Sequence, residues 1–214
     1  MKLKMAGLVI ACMTLFVGCN SSQSVTAEQI TEFVQANIDS DYLREHTAIQ
    51  ELTTQSIEHI DELYMQGIRY DVEKYINYTG IGNITAEQVD ILLETFVEIN
   101  KKAKYTIEQT TEISDDLFRL VVEVEPMNII KIVTDDRDAR FADFGIQTAG
   151  MSDIEFNMLW NELMVEILVD NVDKIGYYEP VEVIIEVFYN EETGYYVISD
   201  EYYDIYDNII KYDF

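Results

Sequence analysis

The chain has 214 residues with 41 acidic against 14 basic side chains, a formal net charge of −27 and a mean hydropathy of −0.05. Acidity on this scale repels nucleic acid and anionic lipid headgroups, so no nucleic-acid partner is expected. Two cysteines and two histidines leave little material for thiol or imidazole chemistry.

Lys2 and Lys4 precede an uncharged apolar run from Met5 to Val17, which ends at Gly18-Cys19. A run of about thirteen residues suits the core of a secretory signal and falls short of the roughly 20 needed to span a bilayer as a helix. No later segment approaches that length without charges. The stretch Leu15-Phe16-Val17-Gly18-Cys19 resembles a bacterial lipobox. That resemblance implies cleavage between Gly18 and Cys19, with Cys19 carrying a diacylglycerol thioether and palmitate among the expected acyl groups. Phe16 stands where the motif more often has Leu, Val or Ile. A rival site, Val9-Ile10-Ala11-Cys12, would leave only about six apolar residues before it, which is short for such a segment.

Residues 1–18 are therefore expected to be a signal peptide, 19–25 the lipidated cysteine and a short tether, and 26–214 a single α+β domain on the extracytoplasmic face of the cell membrane. Removing Lys2 and Lys4 makes the body two charges more negative. Cys12 leaves with the signal and Cys19 is taken by lipid, so the body has no disulfide and no cysteine metal site. The tether Asn20–Val25 reaches about 20 Å when extended. Pro126 and Pro180 are the only prolines, and no Gly/Ser-rich linker interrupts the chain.

Thr26-Ala27-Glu28-Gln29 has the capping-box pattern, and Ile30, Phe33 and Val34 continue it as a helix stripe. A second helix is expected from about Ala48, carrying Ile49, Leu52, Ile57, Ile60, Leu63 and Tyr64, with Gly67 breaking or bending it before Tyr70 to Tyr78. Gly80-Ile81-Gly82-Asn83 is a turn. Thr85-Ala86-Glu87-Gln88 repeats the cap and opens a third helix through Val89, Leu92, Leu93, Phe96 and Val97. From Lys104 the period falls to two. Tyr105 and Ile107 lead to a turn at Ser114-Asp115-Asp116, then Phe118, Leu120, Val122 and Val124 alternate with polar residues up to Pro126, as on a sheet with one wet face.

The segment after Pro126 is charged and reads as a short helix started by Thr134 and reaching Phe141 and Phe144. Ser152-Asp153-Ile154-Glu155 caps a long helix to about Asp173. Its apolar residues surround it, which predicts burial on more than one side. Val181, Val183, Ile185, Val187 and Tyr189 form a strand, Asn190–Gly194 a turn and Tyr195–Ser199 the return. A tyrosine-rich acidic tail closes the chain as a short helix from Glu201 to Ile210. The order of helices, hairpin, helices and hairpin places the chain in the α+β class.

Three stretches are similar to the small lipoproteins of low-GC Gram-positive bacteria that carry an NTF2-like (nuclear transport factor 2-like) domain. They are the amphipathic helices between Thr26 and Lys102, Tyr105-Thr106-Ile107 with Phe118-Arg119-Leu120-Val121-Val122-Glu123-Val124, and Val183-Ile184-Ile185-Glu186-Val187 with Gly194-Tyr195-Tyr196-Val197-Ile198. In that family the last hairpin usually has tryptophan where Tyr196 stands. The resemblance implies N-terminal helices packed on a curved antiparallel sheet, an NTF2-like cone with a concave pocket. The helices between Pro126 and Gly176 insert between the two hairpins. It implies no reaction.

No HExxH, GxSxG or phosphate-cradling glycine loop is present. His46 and His59 would lie some 140° apart on a continuous helix and would not converge, so a polar helix surface is the economical reading for both. Carboxylate pairs are too numerous to nominate an acid and a base. Asp135-Asp136-Arg137-Asp138 and Asp200-Glu201 lack the spacing of a calcium loop. Tyr177, Tyr178, Tyr195, Tyr196, Tyr202, Tyr203 and Tyr206 gather near the second hairpin. They read as sheet packing plus a solvated tail, or more sharply as a wet recognition surface. No catalytic residue, cofactor or metal is expected. The expectation is a membrane-anchored lipoprotein, held through lipid on Cys19, that binds a small molecule, peptide or envelope component without transforming it. The alternatives are an assembly lipoprotein docking another envelope protein and, less favoured, a carboxylate hydrolase of wall polymer.

Overall fold

The computed structural model describes residues 25–53 and 55–212, and contacts along the chain divide it into two compact units. The first comprises the chain up to Gly67 with 103–126 and 179–209, and the second comprises 68–102, 127–178 and the segment from Ile210.

In the first unit Thr26 caps α1 (Ala27–Ile38). Its hydroxyl accepts from the Gln29 backbone N–H at 3.3 Å, and the Gln29 side chain accepts from the Thr26 backbone N–H at 3.0 Å. Ile30, Phe33, Val34 and Ile38 are buried by the spacing that the sequence displays. The helix runs on into one π-helical turn, Asp39–Leu43, which ends at Arg44 in the left-handed region with φ of 61°. A short α2 (Thr47–Leu52) follows.

Strands β1 (Lys104–Ser114), β2 (Leu117–Glu125), β3 (Val181–Asn190) and β4 (Tyr195–Ile198) make one antiparallel sheet in that order. The register sets Leu120 opposite Ile185 and Val122 opposite Val183, so the apolar alternation of both strands lands on one buried face. Arg119 and Glu186, also opposite, pair at 2.7 Å on the other face. Helix α1 packs on β1 and β2, and α7 (Tyr202–Ile209) packs on β2 and β3. The sheet is open, with β1 and β4 as edges. The α+β class is thus observed, without closure of the sheet.

In the second unit, α4 (Ala86–Asn100), α5 (Ile129–Gln147) and α6 (Asp153–Asn171) join the second part of α3 (Ile57–Thr79). Thr85 and Ser152 build capping boxes on α4 and α6, as read from sequence. The Tyr75 hydroxyl donates to the Met164 carbonyl at 2.8 Å and the Trp160 indole N–H to the Thr79 carbonyl at 3.1 Å, so α6 is held to the end of α3. Arg140 joins α5 to α6: it forks onto Asp136 at 2.9 and 3.1 Å and reaches Glu166 at 2.9 Å and Asp170 at 3.4 Å. Replacing Arg140 with Gln leaves three neighbouring carboxylates without their common cation. The expected loss is about 1–2 kcal/mol by urea unfolding, since the pairs are partly exposed, and it should shrink when salt rises from about 20 mM to about 0.5 M.

Four expectations are corrected. The second helix is not continuous from Ala48. It stops at Leu52, and α3 starts afresh at Ile57, where the Ser56 hydroxyl accepts from the His59 backbone N–H at 3.2 Å, a cap the apolar period overrode. Gly67 does not break α3, because an interior glycine costs only about 1 kcal/mol against the packing of a 23-residue helix. Thr134 does not start α5. That helix begins at Ile129, and the Thr134 hydroxyl bonds back to the Ile130 carbonyl at 2.8 Å. The C-terminal tail is not solvated, since Tyr202, Ile205, Ile209 and Ile210 are all buried.

Candidate interaction site

Gly18 and Cys19, the expected cleavage and lipidation site, lie outside the described residues, as does the rival Cys12. No helix among the described residues is long and apolar enough to cross a membrane.

His46 and His59 are on different elements, so they do not converge, although the continuous helix that suggested this is absent. His59 is exposed as expected. His46 is buried, against expectation, and works as a strut: its Nδ1 lies 2.9 Å from the Ser40 hydroxyl of the π-turn, and its Nε2 lies 3.2 Å from an Asp61 oxygen on α3. Arg44 forks onto the same Asp61 at 2.7 and 3.0 Å and thereby lowers the affinity of its carboxyl for a proton. Asp61 is thus bonded by both His46 and Arg44, which ties the π-turn to α3.

The π-turn also carries the most perturbed carboxyl. Burial pushes Asp41 up to a pKa of about 7, against the pull of the Tyr202 hydroxyl that donates to it at 2.8 Å. Next to it, Gln35 donates to both Asp39 oxygens at 3.0 and 3.1 Å, and the Tyr105 hydroxyl also bonds Asp39. A carboxyl that titrates near neutrality marks a place to look for function. Here each acid is held by a tyrosine from another element, so the cluster locks α1, β1 and α7 together.

The tyrosines near the second hairpin divide between the two units and largely serve as packing. Tyr196 is buried edge-on against Phe118 and donates to the Asp115 carbonyl at 3.1 Å; Tyr206 donates to the Gly67 carbonyl at 3.3 Å; Tyr177, in the second unit, donates to the Lys102 carbonyl at 2.7 Å. The acids of Asp135-Asp136-Arg137-Asp138 pair with bases on their own helix, Lys131 with Asp135 at 2.6 Å and Arg140 with Asp136 at 2.9 Å. Among the described residues no group of three His, Cys, Asp or Glu side chains is arranged to hold a metal ion.

The surface that sequence reading missed is the tip of the α5–α6 hairpin. The helices join through Thr148–Met151, where Gly150 takes φ of 84°, a value that disfavours any side chain. The last part of α5 and the first turns of α6 project from the unit. Residues 151–158 are exposed without exception, which corrects the expectation that α6 is buried on several sides. Ile146 is 77% exposed, Ile154 74%, Met158 59% and Phe141 56%. Between the helices the tip is stiffened by rings. Phe144 meets Phe156 and Trp160 edge-on at 5.4 and 5.6 Å, Phe156 stacks on Trp160 at 6.5 Å, and Phe141 meets Trp160 edge-on at 6.5 Å. Its base is pinned by Asn161, whose buried amide accepts from the Gly82 N–H at 3.2 Å and donates to the Gly82 carbonyl at 2.6 Å. Large apolar side chains held rigidly in water are a marker of an interaction surface. The signal was present in the sequence, because apolar residues all round a helix can equally mean that one face awaits a partner.

The fold has a counterpart of known structure. The chain is similar to the crystal structure of a candidate lipoprotein, ycdA, from Bacillus subtilis, with a TM-score of 0.60 and 13% identity over 86% of this chain. The match spans 58% of that protein's length, and at this identity it speaks to the fold alone. No protein-family model matches the chain. No curated protein matches it in sequence either.

Proposed function

We propose that this chain is a lipoprotein of the cell membrane, acylated at Cys19 and exposed on the extracytoplasmic face, whose folded part binds a partner without transforming it. The observation that carries the anchor is the Leu15–Cys19 stretch behind Lys2, Lys4 and an uncharged run. The likeness in fold to a candidate lipoprotein of a Gram-positive bacterium supports it. An NTF2-like arrangement of helices on a curved sheet remains part of this reading, supported by the open antiparallel sheet with helices packed on it. The binding role is supported by the α5–α6 tip. An exposed apolar surface braced by stacked and edge-on rings suits a peptide or protein partner.

Metabolic labelling with a fatty acid is expected to mark the wild-type chain and to lose the mark entirely in Cys19→Ala, which should then leave the lipid-modified membrane fraction. Label that persists in Cys19→Ala would refute the anchor, and recovery of unmodified full-length chain from the cytosol would refute the location. Photo-crosslinking from position 154 in native membranes is expected to trap a partner chain. Capture of a turned-over wall fragment there would instead favour a hydrolase.

A further inference from the structure

Sulfur is spread unevenly over the folded part of this chain. No cysteine follows Cys19, so the only sulfurs beyond it are thioethers, whose polarisable lone pairs electrophilic oxidants attack. Five methionines follow Cys19. Met127 and Met164 are 0% exposed and Met65 is half-buried, whereas Met158 is 59% exposed and Met151 40%. Both exposed methionines therefore belong to the α5–α6 tip. Met151 ends the connection after Gly150, where its N–H donates to the Thr148 carbonyl at 3.1 Å, and Met158 stands one helical turn beyond Ile154 on α6.

We propose that Met151 and Met158 are modification sites for a two-electron, oxygen-donating oxidant of the hypohalous acid class, and that their sulfoxides turn the apolar tip polar. Net, each sulfur loses two electrons and gains one S–O bond. Chlorine of hypochlorous acid is reduced to chloride as its bond to oxygen breaks, and the hydroxyl proton passes to water. On the extracytoplasmic face proposed above, the chain meets such oxidants outside the reducing cytosol. The tip is braced by Phe144, Phe156, Trp160 and Asn161, none of which contains sulfur, so the mark alters the surface without loosening the helices. Sulfoxide reductases reverse it, which makes the change a switch rather than damage. Its consequence for a partner rests on the binding-module reading: a sulfoxide carried into an interface without a donor weakens binding about tenfold.

The test adds about two equivalents of hypochlorous acid to the full chain in detergent and maps sulfoxide by mass spectrometry of its peptides. The expected result is sulfoxide at Met158 and Met151 at least about tenfold ahead of Met127 and Met164. Trp160, the sole tryptophan, should keep its emission, which reports that the hairpin is still packed. After unfolding in urea the four methionines should oxidise alike, so that the selectivity belongs to the fold. A small apolar diazirine, photolysed with the chain, reads the surface itself. Its insertion into residues 146–158 should fall severalfold on oxidation and return after treatment with both methionine sulfoxide reductases, one for each epimer. In Met151→Leu/Met158→Leu, which keeps the apolar volume and removes the thioethers, insertion should stay level through the oxidation. Equal oxidation of buried and exposed methionines in the folded chain would overturn the proposal. So would insertion at the tip that oxidation leaves unchanged, or that falls equally in the double variant. None of these readouts needs a partner or acylation of Cys19, so failure here leaves the binding and anchor readings standing, and a failed crosslink from position 154 leaves the sulfoxide map untouched.

Discussion

Asp41→Asn is expected to raise the melting temperature at pH 8 and to leave it nearly unchanged at pH 4. The sign follows from the raised native pKa. Asp41 titrates at about 7 in the folded chain and at 3.8 when unfolded, so between those values the native state holds a proton that the unfolded state releases. Stability contributed by that proton is present below pH 4, declines as pH rises through 7 and is gone above it. At about 1.4 kcal/mol per pH unit the loss reaches at most about 4 kcal/mol, or roughly 8–15 °C for a domain of this size. Asparagine has no charge to bury and keeps an oxygen for the Tyr202 hydroxyl.

Tyr202 and Tyr203 on the α7 side act on Asp41, Tyr42 follows it on the same turn, and Tyr105 on β1 bonds the neighbouring Asp39. Burial raises Tyr202 and Tyr105 well above the ordinary tyrosine range, so neither titrates in this window. Tyr202→Phe provides the cross-check. Removing the donor that favours the carboxylate should push the Asp41 transition to higher pH and destabilise the chain most above neutrality. Thermal melts of wild type, Asp41→Asn and Tyr202→Phe across pH 4–8.5 decide it. A constant gap between wild type and Asp41→Asn over that range would show that Asp41 carries no excess native proton.

Asn161→Ala is expected to lose about 2–4 kcal/mol. The buried amide satisfies both backbone groups of Gly82, and alanine would leave an N–H and a carbonyl without partners, at about 1–3 kcal/mol each. Asn161→Asp should be at least as damaging near neutral pH, because it replaces the donor with a charged oxygen aimed at a carbonyl 2.6 Å away, and it should recover as pH falls and the acid protonates. Urea unfolding gives the loss. Amide exchange at residues 80–84 gives its location, since the Gly80–Asn83 turn should open first. Protection there equal to wild type would mean that the turn is held by something else. The consequence for binding is separable. If Asn161 pins the base of the tip, its alanine variant should also broaden or shift Trp160 emission, with Trp160 one residue away.

Legibility in the sequence followed the range of the interaction concerned. The three capping boxes at Thr26, Thr85 and Ser152 and the period-two runs around Leu120 and Ile185 are complete within a few residues, and all became elements where expected. The Ser56 cap of α3 was equally local, but an apolar period that bridges 49–64 by coincidence masked it. Gly67 and Thr134 misled for the opposite reason, since a weak local preference yields to the packing of a long helix. His46 could not have been placed from sequence, because Ser40 and Asp61, which hold it, become neighbours only when the π-turn folds against α3.

By itself the sequence determined the acidic character, the α+β class, the three capped helix starts at Thr26, Thr85 and Ser152 and the Leu15–Cys19 stretch, because composition, caps and alternation are properties of neighbouring residues. Only the tertiary structure decided which apolar residues have a partner. Val165 and Ile154 are equally at home on the same stripe of α6, yet one is buried and the other stands in water, because the surface that α6 packs on ends before the helix does. That boundary depends on where distant segments stop, such as Gly82 beneath Asn161, and no periodicity along a single helix encodes it.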